Sequence, residues 1–577
     1  MSSSERTASR LIGVALVVAT LGACSGDGPT SPPATAQCDG STIDVRALAV
    51  GDGATITGSQ VACLALAGAG AEYVVMPQLT GSALPYGGFS FRLGDPAMMD
   101  ASVSALTVIA PQVDAREMFG ARHTIDDAQA TLHARVRAHE SALPRGAAKS
   151  LGAADVRTAD ALGDPDSVRA FSVLNTLAAT PSFSTIGAAL AYAGDNVLLY
   201  VDTLAGSVFT PAELAAMGTL YDDALVPAMY AQFGTGSDID GNGRVLFVLS
   251  PTVNAMVPAA QCSVTGYVRG FFYSHDLTSQ SATSNRSEVF YAFVPDPTGR
   301  WSCAHTKAEV DANLAPTFMH ELQHMISFGE HAIERNGASE EPWLNEGLSH
   351  IAEELGAKLF EARYPAPSGR TNPTQIFPDS ASPYITPNLL YSYRFLLSSS
   401  FYSLTSCAPG TFCSLAERGG SWLLLRFIAD QQGEAVLKRL VESQLSGRAN
   451  LEAVTGRSTA EWLGDFALAV NADSIEGRPR DLAPPDLRFA SRNLRRLYRA
   501  LFDAYGFAGG VGRPFPIEPL ALAAGGVVTG SMRPGSYAVY RLRTTADRPL
   551  ALVRFAGADG ALFPAEARAQ IAVLRVR

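Results

Sequence analysis

Between Cys38 and about Pro111, short apolar runs (DVRALAV, ATITGS, EYVVMPQLT, FSFRLG) alternate with turns rich in Gly and Pro. Runs of that length and punctuation predict β-strands. The texture returns after residue 511, where ALAAGGVVTGS at 521–531 resembles ALAVGDGATITGS at 47–59. Residues 114–145 instead carry a helical pattern rich in Ala and charge. From about Ala170, strand-like AFSVL, NVLLYVDT, RVLFVLS and EVFYAFV surround a helical PAELAAMGTLYDDALVPAMYAQF. Beyond Ala312, apolar positions recur at helical spacing to about Tyr505. The expected class is α+β, a mixed sheet followed by a helical subdomain, flanked by small β domains.

The first residues have another character. Arg6 and Arg10 precede an apolar stretch, Leu11–Leu21, too short to span a bilayer as a permanent helix. It reads as an export signal. It ends Leu21-Gly22-Ala23-Cys24, which resembles the lipobox of bacterial lipoproteins, so Cys24 is the expected lipidation site and the membrane is contacted through that lipid. The expected location is the bacterial cell envelope, at the outer membrane or cell surface, and otherwise the extracellular medium. The expected organisation is a signal peptide at 1–23, a tether at 24–37, a β domain at 38–112, a helical linker or activation segment at 113–165, the main body at 166–510 and a second β domain at 511–577.

With 47% hydrophobic and 17% charged residues, the chain of 577 residues can build a large core. Its net charge of −11, with no basic tract, argues against a nucleic-acid partner. Besides Cys24, six cysteines fall as sequence neighbours: Cys38 with Cys63, Cys262 with Cys303, Cys407 with Cys413. Export favours disulfides between these neighbours, although six cysteines allow fifteen connectivities.

The chemistry is concentrated at His320-Glu321-Leu322-Gln323-His324. Histidines at i and i+4 leave one face of a helix and can hold one zinc ion, with Glu321 beside them to accept a proton from water. Pro316 suggests a helix start nearby. A catalytic zinc needs a third protein ligand and an open position. The longer HExxHxxGxxH pattern is not met, because Ser327 and Glu330 stand at its Gly and last His; His331 is one residue late and Gly329 suits a helix end. A second helix is written downstream, with Ser339 and Pro342 suiting its start and Gly356 its stop. On it Glu346, His350 and Glu353 share a face.

HELQH followed by WLNEGLSHIAEE resembles the gluzincin metallopeptidases, most closely the hyicolysin-type zinc peptidases. The resemblance extends through GDNVLLYVD, SDIDGNGRVLFVLS, SNRSEVFY and ERGGSWLLLRFIADQQG, roughly residues 160–480. It implies a gluzincin body, with His320, His324 and Glu346 as zinc ligands and Glu321 as the base in hydrolysis of protein or peptide substrates. The sequence holds no GxMEN segment, the piece that binds a free amino terminus in gluzincin aminopeptidases, so an endopeptidase is preferred. The alternatives are such an aminopeptidase or a surface binding lipoprotein with a degenerate peptidase body. One departure stands out: thermolysin-like enzymes place an orienting Asp four residues after the Glu ligand, where this chain has His350, which leaves His350 open as an orienting group, as a group polarising the substrate, or as ligand in place of Glu346.

Other residues complete the expectations. Tyr391, Tyr393, Tyr402 and His350 are candidates to stabilise an oxyanion. SNRSEVFY at 284–291 is the expected edge strand beside the cleft. Asp238, Asp240 and Asn242 in DIDGNG imitate half of a calcium loop, although Leu249 stands at its twelfth position and a tight turn is the simpler reading. Arg488, Arg492, Arg495 and Arg499 form a basic face expected in solvent. His123, His133, His139, His275 and His305 show no partner pattern and are expected at the surface.

Overall fold

The computed structural model of the chain describes residues 44–82, 84–99, 107–108, 127–143, 168–278, 281–363, 381–407, 413–473, 475, 484–507 and 510–577. The expectations for the export signal, the tether and Cys24 lie outside these residues, as do Cys38 and His123. Strands β1 (Asp44–Arg46), β2 (Gly53–Thr57), β3 (Leu64–Ala67), β4 (Glu72–Leu79), β5 (Phe89–Gly94) and β6 (Thr107–Val108) come first, then helix α1 (Asp127–Ala142). Next are β7 (Val168–Leu174), β8 (Phe183–Ala193), β9 (Val197–Asp202), β10 (Val245–Leu249), β11 (Gly270–Phe272) and β12 (Val289–Ala292). The longer helices that follow are α2 (Lys307–Phe328), α3 (Pro342–Arg363), α4 (Ser382–Leu397), α5 (Leu415–Gln432), α6 (Thr459–Ala472) and α7 (Leu494–Tyr505). Strands β13 (Leu520–Ala523), β14 (Val527–Met532), β15 (Tyr540–Arg543), β16 (Leu550–Gly557) and β17 (Ala569–Arg575) close the chain.

The two ends of the chain build one unit where two flanking β domains were expected. One sheet runs β1-β3-β16-β5-β14-β6 and the other β13-β15-β4-β17-β2. All eight residues of β4 are buried, so its backbone needs partners on both sides. Both come from the far end of the chain: Val75 stands opposite Tyr540 of β15 and Val573 of β17. The apolar faces meet in a core that includes Phe91, Leu93, Tyr540 and Phe555.

The body is built on the sheet β11-β12-β10-β9-β8-β7. β10 pairs in parallel with β9 and β12, and its run VLFVL is buried throughout, as a covered parallel strand requires. The strand within SNRSEVFY is interior: β12 lies between β10 and β11 and reads as an unbroken apolar run. The edge belongs to β11, which is antiparallel to β12. At Gly270 a Cβ would meet the Phe290 ring at 2.8 Å, so glycine permits the close approach of the two strands.

Helix α2 starts at Lys307, with the hydroxyl of its N-cap Thr306 accepting from the Glu309 amide. Pro316 is therefore inside the helix rather than in its first turn. Gly329 ends the α-helical run, and the chain continues as a π-helical turn, Gly329–Glu334. α3 passes through Gly356 to Arg363. That glycine serves packing: a Cβ there would lie 2.4 Å from Tyr384 and 2.6 Å from the Met319 sulfur. α3 packs against α2, α4 and α5.

The basic face is not solvated as a whole. Arg492 precedes α7 and turns inward between Glu354, at 3.3 Å, and Glu361, at 3.1 Å. Arg499 does remain exposed and pairs with Asp503. Disulfides join Cys262 to Cys303 and Cys407 to Cys413, and Cys63 is also disulfide-bonded. Among the described residues no helix is long and apolar enough to cross a membrane.

Candidate metal centre

One turn apart on α2, His320 and His324 point their Nε2 atoms at a common spot and stand 3.2 Å from each other. Glu346, near the start of α3, reaches the same spot: its Oε2 is 3.5 Å from His320 Nε2 and its Oε1 is 3.4 Å from His324 Nε2. The three side chains are buried. Among the described residues neither Glu346 oxygen meets hydrogen-bond geometry. Two imidazole nitrogens and a carboxylate converging within 3.2–3.5 Å of one another make a donor set that fits a divalent cation of the zinc type. The structure thus brings together the three residues expected as ligands.

The outer nitrogens of the histidines are held from α3. His320 Nδ1 is 2.8 Å from Glu353 Oε1, and His324 Nδ1 is 3.0 Å from Asn345 Oδ1. Such partners fix the ring orientation and leave Nε2 facing inward. The orienting carboxylate therefore stands seven residues after Glu346 rather than four, two turns along the same face. His350 fills the intervening position and places its Nδ1 3.2 Å from the other oxygen of Glu353.

Arg418, in the first turn of α5, brings Nη1 to 3.3 Å from Glu346 Oε2. Its Nε donates to the Cys413 carbonyl at 3.1 Å, beside the disulfide. Burial opposes charge on Glu346, but Arg418 and the two histidines hold its carboxyl well below the usual carboxylate range. Burial likewise disfavours a charged His320, yet Glu346 and Glu353 raise it to about 10. His324 is lowered to about 4 by burial and by Arg137.

Glu321 faces the cluster from the HExxH turn. Its Oε2 accepts from the Phe272 amide of edge strand β11 at 3.1 Å. Its Oε1 lies 2.7 Å from His133 Nε2. Burial would raise its pKa, but His133, His324 and His320 bring it down to about 2.

The site opens into a cavity of about 130 Å³ lined in part by Glu321, His350, Glu353, Tyr391 and Arg418. Of the expected oxyanion candidates, His350 and Tyr391 line it. Tyr393 is occupied elsewhere: its hydroxyl donates to the Arg513 carbonyl at 3.0 Å and accepts from the Arg513 amide at 2.9 Å. Tyr402 packs edge-on against Phe401. His331 is buried away from the cluster, 3.6 Å from Glu340.

The DIDGNG segment forms a turn that uses its own carboxylates. Asp238 accepts from the Gly243 amide, and Asp240 from the amide and side chain of Asn242. Asn242 Oδ1 in turn accepts from the Arg244 amide at 2.6 Å.

Two of the histidines expected at the surface are buried. His305 is buried against the Tyr267 ring, and His133 lies at the centre itself. The four groups His133, His320, His324 and Glu346 offer ligand atoms within 4.8 Å of one another. The signal for His133 was the spacing of Gln129, His133, Arg137 and Glu140, by 4, 4 and 3, which aligns them on one helical face. A polar stripe ordinarily reads as solvent-facing; here it is buried. Arg418 gave no signal beyond its place in a mainly apolar helix.

No family model matches the chain. The chain is similar to the neutral metalloprotease ShpI of Staphylococcus hyicus, at 26% identity over 190 residues. The matched stretch is 33% of this chain and spans 40% of that protein.

Proposed function

We propose that this protein is a zinc metalloendopeptidase with a gluzincin-type centre. The observation that carries the reading is the convergence of His320, His324 and Glu346 beside Glu321, next to an antiparallel edge strand. The distant likeness to a neutral metalloprotease supports the same class. A bound zinc ion would supply Lewis acidity toward a water molecule and a carbonyl oxygen. Glu321 accepts the proton from the attacking water and passes it to the leaving amine. An extended peptide adds along β11, so that main-chain hydrogen bonds align it without regard to most side chains. His350 and Tyr391 face the cavity and are placed to stabilise the developing oxyanion. Arg418 balances the charge of Glu346. Glu353 and Asn345 hold the ligand rings.

The reading includes export and anchoring through a lipid on Cys24. Two disulfides in the body fit an oxidising compartment.

The test is metal analysis of the purified protein, followed by cleavage of a denatured protein with and without chelator. The expected result is one zinc per chain and cleavage abolished by chelation. Glu321→Gln should keep the zinc and lose cleavage by ~10²–10⁴. A chain that binds no stoichiometric zinc would overturn the proposal.

A further inference from the structure

Helix α1 precedes the body in sequence and lies in its cleft. Leu132 and Val136 are fully buried and belong to the main core, which seats the helix. Its polar stripe faces the metal centre and β11. Gln129 accepts from the Arg269 amide through Oε1 at 2.8 Å and donates through Nε2 to the Gly270 carbonyl at 2.8 Å. The Gly270 carbonyl lies on the outer edge of β11, where an adjacent strand would bond it; the Arg269 amide precedes the strand. Arg137 donates to the Phe272 carbonyl at 3.3 Å. Between these contacts His133 enters the centre, 3% exposed. Its ring stacks on His320 at 5.4 Å and meets His324 edge-on at 5.9 Å. Nε2 touches Glu321, and Nδ1 is 3.9 Å from Glu346 Oε1.

We propose that the intact chain folds as its own latent form, in which α1 puts His133 in the place of the attacking water and uses Gln129 to occupy the strand edge that a substrate needs. The inference rests on the peptidase reading above. A water that reacts must stand between Glu321 and the ligand set, within hydrogen-bond reach of the base. That space is filled by an imidazole that can also complete the metal's coordination as a fourth protein ligand. A fourth protein ligand closes the open position that distinguishes a catalytic site from a structural one. Along β11, main-chain groups that would align a peptide are already bonded to α1. Chemistry and substrate alignment are thus blocked by one helix. α1 belongs neither to the body's sheet nor to the β unit built from the chain ends, so it can leave while both keep their hydrogen bonds.

The test uses the full-length chain, verified as uncut by mass, in three forms: wild type, His133→Ala and Leu132→Glu. The second variant keeps every side chain of the centre and weakens only the seat of α1. A peptide hydroxamate, which chelates an accessible zinc ion, is titrated into each by calorimetry; zinc transfer to a chromogenic chelator and cleavage of a quenched fluorescent peptide are followed in parallel. The wild type should bind the hydroxamate at least 10-fold more weakly than either variant and cleave at least 10-fold more slowly. His133→Ala should give up zinc faster than wild type. Zinc present in all three with equal hydroxamate affinity and equal cleavage would overturn latency while leaving the peptidase reading intact. Absence of zinc from all three would instead overturn the peptidase reading, and latency with it. If both variants failed to fold, α1 would be a necessary part of the body, which also contradicts the proposal.

Discussion

Nδ1 of His320 and Oε1 of Glu353 lie 2.8 Å apart across the contact of α2 with α3. Glu353 also pairs with His350, so one carboxylate holds two rings of the centre. Glu353→Gln keeps the shape and loses the charge. Zinc affinity, measured by competition with a chelator, should fall ~10–100-fold. An unchanged affinity would mean that the α2 scaffold alone orients His320.

Glu346 and His350 lie one turn apart and should behave differently. Glu346→Ala removes a ligand and leaves Arg418 buried without that partner, so dialysed protein should retain no stoichiometric zinc. His350→Ala should retain it. Its cleavage rate, read in the His133→Ala background, should fall only ~10–100-fold. Elemental analysis of both purified variants checks the first part; the opposite pattern of zinc retention would reassign the third ligand.

Gly356 is required by packing rather than by helix ending. Gly356→Ala inserts a methyl group against Tyr384 and the Met319 sulfur. Overpacking of this kind costs about 1–3 kcal/mol. Chemical denaturation should show the loss without a change in zinc stoichiometry.

Glu288 provides a pH signature of stability. Its Oε1 accepts from Ser237 Oγ at 2.8 Å and from the Ile239 amide at 3.1 Å. Burial, the dominant effect, raises its pKa to about 8. Below the unfolded carboxylate range both states are protonated and the group is neutral to stability. As pH rises from about 4.5 toward 8, the unfolded chain loses its proton first, so this group's contribution to stability falls. Thermal melts of Glu288→Gln should therefore show a smaller decline between pH 5 and 8 than those of wild type. Parallel profiles would rule out this linkage.

Much of the centre could be read along the chain because its parts are local. His320 and His324 share one helical face, and Glu346 sits near the start of a helix marked by Pro342. The face carrying Glu346, His350 and Glu353 was also visible, but the choice between His350 and Glu353 as orienting group depends on how α3 crosses α2. His133 was hidden for another reason. Nearly two hundred residues separate it from His320, and its polar stripe looks like any solvated face until α1 meets the cleft. The strand edge was misplaced because β11 is only three residues long and too short to show alternation. The β regions at the two ends could be recognised as strands, but strand pattern does not name a partner.

The interleaved strands set what a single break in the backbone can accomplish. Suppose the chain is cut between α1 and β7. Strand β4 remains hydrogen-bonded to β15 on one side and β17 on the other, so the amino-terminal and carboxy-terminal fragments stay together as a two-chain molecule. Electrophoresis in denaturant would separate them, whereas gel filtration in native buffer would not. Under the proposed reading, a lipid on Cys24 would still tether the carboxy-terminal fragment through the shared sheets and their common core. Nicking and separation of the two fragments are independent events, and the second requires the ends of the chain to unfold from each other.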